Sequence, residues 1–304
     1  MPGQPIVLVL GPTASGKSAL AARLAQRLDG EVVSADAMAV YRGMDIGTAK
    51  PGPAELALAP HHLVSVLDPG ERCDVARWLG MAEAAIAGIA ARGRLPIICG
   101  GSPLYTKALI EGLSAGAPRD AAVRAALDAA YDADPAALWA ELQAADPAYA
   151  ADRHPNDRRR IVRALEVLRL TGRPYSSFHT TDGIRRADYA AVQLGLHWER
   201  AALYARIDAR TEAMFAAGLV DEVRALAPRL SPEARQAVGY KEVLDHLAGG
   251  CDLATTIVRV QTASRHLAKH QLTWYRRFTD IAWLPGDAGD LIDRALAVAA
   301  LARP

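Results

Sequence analysis

The sequence predicts an α/β fold, a doubly wound parallel sheet interrupted by a helical insertion, and three observations carry that expectation. Residues 6–10 (Ile6, Val7, Leu8, Val9, Leu10) form a continuous apolar run that leads at once into a Gly-rich loop and a helix. A strand that is apolar throughout is one buried on both faces, as in parallel sheets. Further short apolar runs then alternate with stretches of helical periodicity, the pattern of successive βα units. Between about residues 114 and 177 the strand signals stop, and only helical periodicity remains, broken by Pro118, Pro135, Pro147, Pro155 and Pro174.

In chain order, the loop at 11–18 opens a helix over 19–28, where Leu20, Leu24 and Leu28 share one face. A second strand, 31–34, runs out at Asp36. After a Gly/Pro-rich loop at 43–53, residues 62–67 predict a third strand and 74–91 a helix closed by Gly93. Residues 95–99 predict a strand ending at Gly100 and Gly101. Beyond the insertion, 192–196 return to strand character, helices follow over 199–217, 219–226 and 255–278, and 281–284 predict an edge strand before a closing helix to Leu301. The expected organisation is a core of residues 1–113 and 191–304 with a helical insertion at 114–190.

At 304 residues, 51% hydrophobic and 23% charged, the chain is long enough for one large domain and a smaller insertion. A formal net charge of +1 gives no global attraction for nucleic acid, so any RNA-binding surface has to come from local clustering. Cys73, Cys99 and Cys251 lie far apart without paired spacing, which supports neither a disulfide framework nor a zinc site and fits a reducing compartment. The first apolar run lacks the basic flank and length of a signal peptide, and no stretch is long and apolar enough to span a bilayer. A cytoplasmic protein without membrane contact and without an evident obligate protein partner is expected. His61 and His62 are adjacent, point apart, and lack a carboxylate at ligand spacing, so they do not predict a metal site.

The chemistry begins with Gly11, Pro12, Thr13, Ala14, Ser15, Gly16, Lys17 and Ser18, which fit the P-loop pattern in full. Glycines let backbone N–H groups turn inward around a diphosphate, and the following helix aims its positive end at the anion. Lys17 adds a point charge, and the Ser18 hydroxyl is a candidate ligand for Mg²⁺. The motif leaves open which bond breaks. P-loop NTPases hold Mg²⁺ with a carboxylate at the end of a later strand, yet residues 95–99 end in Gly100, Gly101 and Ser102 without an acid. The acid instead follows the second strand, at Asp36. Asp36 is either a base that takes a proton from a nucleophile while diphosphate leaves intact, or a cap or turn residue, common for aspartate.

Several segments, in order, resemble the tRNA dimethylallyltransferase family, also called tRNA isopentenyltransferases. They are the P-loop with Pro12, Thr13 and Ala14; Ser34-Ala35-Asp36; the run from Tyr41 to Lys50; Gly100-Gly101-Ser102 with Tyr105; His154-Pro155-Asn156-Asp157 with Arg160 and Arg163; and Val238-Gly239-Tyr240-Lys241. The resemblance implies that dimethylallyl diphosphate occupies the P-loop, and that the exocyclic amine of a flipped-out adenosine beside the tRNA anticodon attacks its first carbon. It implies Asp36 as general base, Lys17 and Ser18 with Mg²⁺ on the diphosphate, Ser102 beside the reacting groups, and Arg210 on the leaving group. It further implies tRNA contacts from Asp36, Ala37, Met38, Ala39, Ser102, Arg124, Arg159, Arg160, Arg163, Gln236, Gly239, Tyr240 and Lys241. This chain departs from the family at Ala37 (usually Ser), Ala39 (often Gln), Ser102 (mostly Thr) and Arg159 (often Gln).

Arg153, Arg158, Arg159, Arg160 and Arg163 cluster at a helix entry, either a solvated face or a phosphate-binding surface. In residues 265–277, basic side chains alternate with aromatics, a pattern that could hold phosphates and stack on bases. For the aromatics an amphipathic helix is expected instead, with Leu267, Trp274 and Phe278 facing the core, and for Arg265 and Lys269 both readings stay open. The competing functions are a nucleotide or small-molecule kinase, with the arginines as a lid, and an RNA-binding NTPase switch. The run from Tyr41 to Lys50 argues against the kinase, since no general phosphate-binding rule produces it.

Overall fold

The computed structural model describes residues 3–113, 117–178 and 186–302. Six strands, β1 (Gln4–Leu10), β2 (Gly30–Ser34), β3 (His61–His62), β4 (Leu95–Gly100), β5 (Tyr189–His197) and β6 (Ile281–Pro285), form one sheet in the order β3-β2-β4-β1-β5-β6. Every pairing is parallel. β1 is central, and its residues Ile6 to Leu10 are wholly inaccessible, which is why that stretch is apolar without alternation. On one face Ile6, Leu8 and Leu10 pack in a cluster with Trp78 and Ile86 of the helix Val75–Ala91. On the other, Val7 and Val9 pack with Leu20 and Leu24 of the helix Lys17–Arg27. Helices therefore cover both faces of a P-loop, doubly wound sheet. The chain leaves β1 for β2 and returns to fill the intervening position with β4, so the loops after β1, β2 and β4 meet at one carboxyl-end crevice, where such sheets bind ligands.

Two compact units are present, one of Met1–Ile110 with Ala187–Pro304, the other Glu111–Arg186. Within the second, the helices Ala121–Ala133, Pro135–Ala145 and Arg158–Thr171 enclose a core that includes Leu127, Tyr131, Leu142, Ile161 and Leu165. Each of these helices begins at an aspartate, Asp120, Asp134 or Asp157, whose carboxylate accepts first-turn amides. Residues 114–116 and 179–185 of the expected insertion lie outside the described residues. Among the described residues no helix is long and apolar enough to cross a membrane.

Three expectations are corrected. The third strand is His61–His62 rather than 62–67, because Leu63 and Ser65 adopt left-handed backbone angles (φ 61° and 55°) that no strand continues through. The helix expected over 255–278 is Leu253–Tyr275, and its buried residues are Thr256, Val260, Ser264, Ala268, Gln271 and Tyr275. Leu267 is instead 36% exposed. Two helices, Pro103–Glu111 and Tyr240–Leu247, were not anticipated from the sequence.

Candidate active site

The P-loop leaves β1 through Gly11 and enters its helix at Gly16, whose left-handed backbone (φ 89°) lets the loop double back before Lys17. Its outer side is pinned by other elements. Trp198 Nε1 donates to Ser15 O at 3.0 Å, and Arg206 Nε donates to Ala14 O at 2.9 Å while its guanidinium lies over the Trp198 ring. Its inner side is pinned by Gln271, 5% exposed, whose Oε1 accepts from Thr13 N at 2.8 Å and whose Nε2 donates to Gly101 O at 2.7 Å. One amide thus ties the loop after β1 to the loop after β4. Gly101 has no room for a side chain here, since a Cβ would lie 2.5 Å from Gln271 Nε2.

The loops after β2 and β4 are laced together in the same way. Ala35 N donates to Cys99 O at 2.7 Å and Ser102 N to Ala35 O at 3.3 Å. A Cβ on Gly100 would fall 2.1 Å from Ala35 O. This lacing sets Asp36 at the rim of the crevice. Asp36 Oδ1 accepts from Met38 N (2.8 Å) and Ala39 N (3.2 Å), so the carboxylate does close a turn. Those bonds use one oxygen, and the other is left without a protein hydrogen bond among the described residues.

A single cavity is lined by Thr13, Lys17, Ser18, Ser34, Asp36 and Arg210 at its polar end. Its remaining walls include Met38, Val64, Met214, Val238, Val260 and Leu267. Lys17, Ser18 and Arg210 also line the outward pocket over the P-loop with Gly16, Glu55 and Arg206. Lys17 Nζ donates to Pro12 O at 3.3 Å. Burial lowers the Lys17 pKa, the Asp36 charge opposes that, and Arg210 adds to it. Arg210 projects from the helix Arg200–Ala216 and donates through Nη2 to Thr13 Oγ1. Its Nε is buried without a partner among the described residues, and so is Ser15 Oγ. Burial lowers the Arg210 pKa, with Asp36 pulling it back up. A half-buried cation with one buried donor unsatisfied, facing a Gly-rich anion loop, is an arrangement that an anionic ligand completes.

The other residues singled out from the sequence scatter. Met38 and Ala39 line the cavity, and Ala37 is half-buried beside them. Ser102 is half-buried, and its carbonyl accepts from Tyr105 N and Thr106 N at the start of the helix Pro103–Glu111. Gln236 and Lys241 are exposed, whereas Gly239 and Tyr240 are buried. The Tyr240 hydroxyl donates to Glu222 at 2.6 Å, so this side chain cannot offer itself to RNA as the resemblance implied. In the helical unit, Arg159 is exposed and makes no hydrogen bond or ion pair among the described residues, and Arg160 is exposed but paired with Asp157. Arg163 is not a surface cation. It donates to Ala117 O (2.7 Å), Pro118 O (2.9 Å) and the buried Glu166 (2.7 Å). Arg124 reaches the same carboxylate at 3.4 Å. Arg265, open in the sequence, is held by Asp208 in a bidentate pair.

Sequence reasoning missed Gln271 and Cys99 as parts of this site, and also His61. Cys99, next to last in β4, lies on the cavity wall, its thiol pushed up to about 11 by burial. His61 also lines the cavity, with Nδ1 against Ala59 O at 2.9 Å and a buried Nε2 that has no partner among the described residues. A thiol near the end of an otherwise apolar strand is the signal that could have pointed to Cys99, whereas His61, in a strand of two histidines, carries none.

Fold and site together define a P-loop protein that sets one carboxylate and one half-buried arginine around an anion cradle. Residues 39–278 match the IPP transferase family and residues 4–61 match the isopentenyl transferase family. The chain is 50% identical over 297 residues to the tRNA dimethylallyltransferase of Anaeromyxobacter sp. (strain K), covering 96% of this chain and 97% of that one. It is 51% identical over 284 residues to that of Halorhodospira halophila, covering 91% of each. Among solved structures, the full-length tRNA isopentenylpyrophosphate transferase of Bacillus halodurans superposes with a TM-score of 0.73 at 39% identity, covering 98% of this chain and 97% of that one. A eukaryotic dimethylallyltransferase acting on tRNA superposes at 0.80 and 28% identity, covering 96% of this chain and 77% of that one. The chain belongs to the IPP transferase family.

Proposed function

We propose that the protein transfers the dimethylallyl group of dimethylallyl diphosphate to the exocyclic amine of the adenosine 3′-adjacent to the anticodon in tRNA, releasing diphosphate, and that it does so in the cytoplasm. The observation that carries the reading is the shared cavity. Asp36 faces the same space as Lys17, Ser18 and Arg210, and that space continues along Met214, Val260 and Leu267, an apolar wall suited to a five-carbon chain. The names of the relatives support the substrates.

In this reading the P-loop from Gly11 to Ser18 and Lys17 hold the diphosphate. The amine nitrogen forms a bond to the first prenyl carbon as the carbon–oxygen bond breaks, and the electron pair leaves with diphosphate. Arg210 stabilises the charge that grows there. Asp36 takes the amine proton on its unbonded oxygen, while its other oxygen keeps the turn that aims it. Ser102 supports this geometry through its bond to Ala35 rather than through a side-chain contact. The donors at the polar end include Ser18, Ser34 and Asp36, a hard oxygen set that fits Mg²⁺. Among the described residues no group of three or more His, Cys, Asp or Glu could hold a metal. When bound, that ion neutralises part of the diphosphate charge. The helical unit, through exposed Arg159 and Arg160 with Arg124, is the proposed tRNA-binding domain, and Gln236 and Lys241 are further candidates on the core.

Incubation with labelled dimethylallyl diphosphate and unmodified tRNA tests the reading, with labelled ATP in a parallel reaction. Label transferred from the prenyl donor to tRNA is expected. Transfer from ATP alone would replace the reading with a kinase.

A further inference from the structure

The segment from Tyr41 to Lys50 has no part in the transfer chemistry above, yet the structure builds something specific from it. Three consecutive backbone amides, those of Asp45, Ile46 and Gly47, converge on Glu222 at 2.9, 2.7 and 2.9 Å. Glu222 Oε2 accepts the first two and Oε1 the third, and Oε1 also accepts the buried Tyr240 hydroxyl at 2.6 Å. Successive amides turned inward make an anion-binding concavity, and here the anion is a side chain of the helix Leu219–Leu226. Gly47 permits the approach, since a Cβ would lie 2.5 Å from the Tyr240 ring. Lys50 closes the same loop by donating to Tyr41 O, to Asp45 Oδ1 at 2.6 Å and to Ser65 Oγ at 2.8 Å.

Glu222 does not itself line the cavity, but what it holds does. Gly47, Thr48, Ala49, Lys50 and Pro51 form one wall, and Ala237 and Val238, just before Tyr240, form part of another. The P-loop lysine, Ser18 and Arg210 receive no bond from this cluster. We propose that Glu222 is a positioning residue, a carboxylate clasp that ties the loop at 44–51 to the segment at 237–240 and so fixes the walls against which the acceptor base is held. The diphosphate end is fixed independently by Gln271, Trp198 and Arg206. The kinetic part of this inference rests on the transferase reading.

Two conservative variants test it. Glu222→Gln keeps the shape but turns one acceptor oxygen into a donor facing amides, so about half of the four bonds can survive. Tyr240→Phe removes only the hydroxyl bond. The measurements are kcat and KM for tRNA, affinity for dimethylallyl diphosphate by calorimetry, and hydrogen exchange at the amides of residues 45–47. Misplacing a positioned substrate by about 1 Å costs on the order of 10²-fold, and a loss of about that size in kcat/KM for tRNA is expected for Glu222→Gln. Tyr240→Phe should lose about tenfold, the lower end of the value of a hydrogen bond to a charged group, because the three amide bonds that hold the loop remain. Prenyl diphosphate affinity should be unchanged in both, and exchange at 45–47 should accelerate in Glu222→Gln. Wild-type tRNA kinetics despite fast exchange would overturn the clasp, and a parallel loss of diphosphate affinity would reduce Glu222 to a general stabiliser. If wild-type protein transfers nothing to tRNA, the transferase reading fails by itself. The clasp is then judged by exchange, supported if Glu222→Gln speeds it at 45–47 and refuted if it does not.

Discussion

Replacing Arg210 by alanine should separate the chemical step from substrate binding. Its guanidinium bonds Thr13 Oγ1 through Nη2, and its buried Nε has no partner among the described residues, so it enters the reaction with donor capacity in reserve. The loss of one preorganised donor to a developing anion costs on the order of 10² to 10³ in rate, about 2.7–4 kcal/mol. Ground-state binding should suffer much less. Arg210 is one of the groups that lower the Lys17 pKa, and removing it leaves Lys17 more firmly charged to hold the diphosphate. The folded state loses one hydrogen bond from a charged group, about 1.5–3 kcal/mol, a fraction of the stability of a typical domain, so the variant should remain folded. Single-turnover rates at saturating tRNA, set against the prenyl diphosphate affinity from calorimetry, decide it. Equal losses in affinity and in kcat/KM with kcat unchanged would make Arg210 a simple anchor and refute its transition-state role.

Asp36→Asn keeps an oxygen for the amides of Met38 and Ala39 and so keeps the turn, but it cannot take a proton; turnover should fall by on the order of 10² to 10⁴. Near wild-type turnover at saturating substrates would leave Asp36 a turn residue only. Arg159→Ala should flatten the slope of log affinity for tRNA against log salt by about 0.7–0.9 for its one phosphate contact, without changing the melting temperature. Arg163→Ala should do the reverse, lowering the melting temperature because it takes from the buried Glu166 its shorter ion pair, leaving Arg124 at 3.4 Å, and removes the donor to two carbonyls; a salt-slope change from Arg163→Ala alone would contradict the assignment. Glu31, 2% exposed, is held down to about 2 from 4.5, first by its hydrogen bond to Arg92 and also by His62. Because the folded value is the depressed one, its stabilisation is present above about pH 4.5 and is lost as pH falls toward 2. Glu31→Gln should therefore flatten the melting temperature over that window, and an undiminished acid dependence would show that other carboxylates govern it.

What could be read from the sequence was local, and what could not was set by partners far along the chain. The continuous apolar run at Ile6 to Leu10 and the eight residues after it announce a buried parallel strand and an anion loop, because both depend only on neighbouring residues. The third strand failed because Leu63 and Ser65, apolar and small enough to read as extended, are turned left-handed while the loop folds back to bond residues 39 and 40. Gln271 could not be found because its two partners are 258 and 170 residues away, and an isolated glutamine in an amphipathic helix has no local signature. Arg163 and Arg159 look alike in a charge run. They are told apart only by Glu166, an acid between Leu165 and Val167 on a buried stripe, and a buried acid requires a cation from within reach, here three residues before it. For Asp36 the two sequence readings, base and turn residue, were never exclusive. A carboxylate has two oxygens, and binding one to backbone amides is what gives the other a fixed direction, so the turn orients the carboxylate for the base role proposed above rather than competing with it.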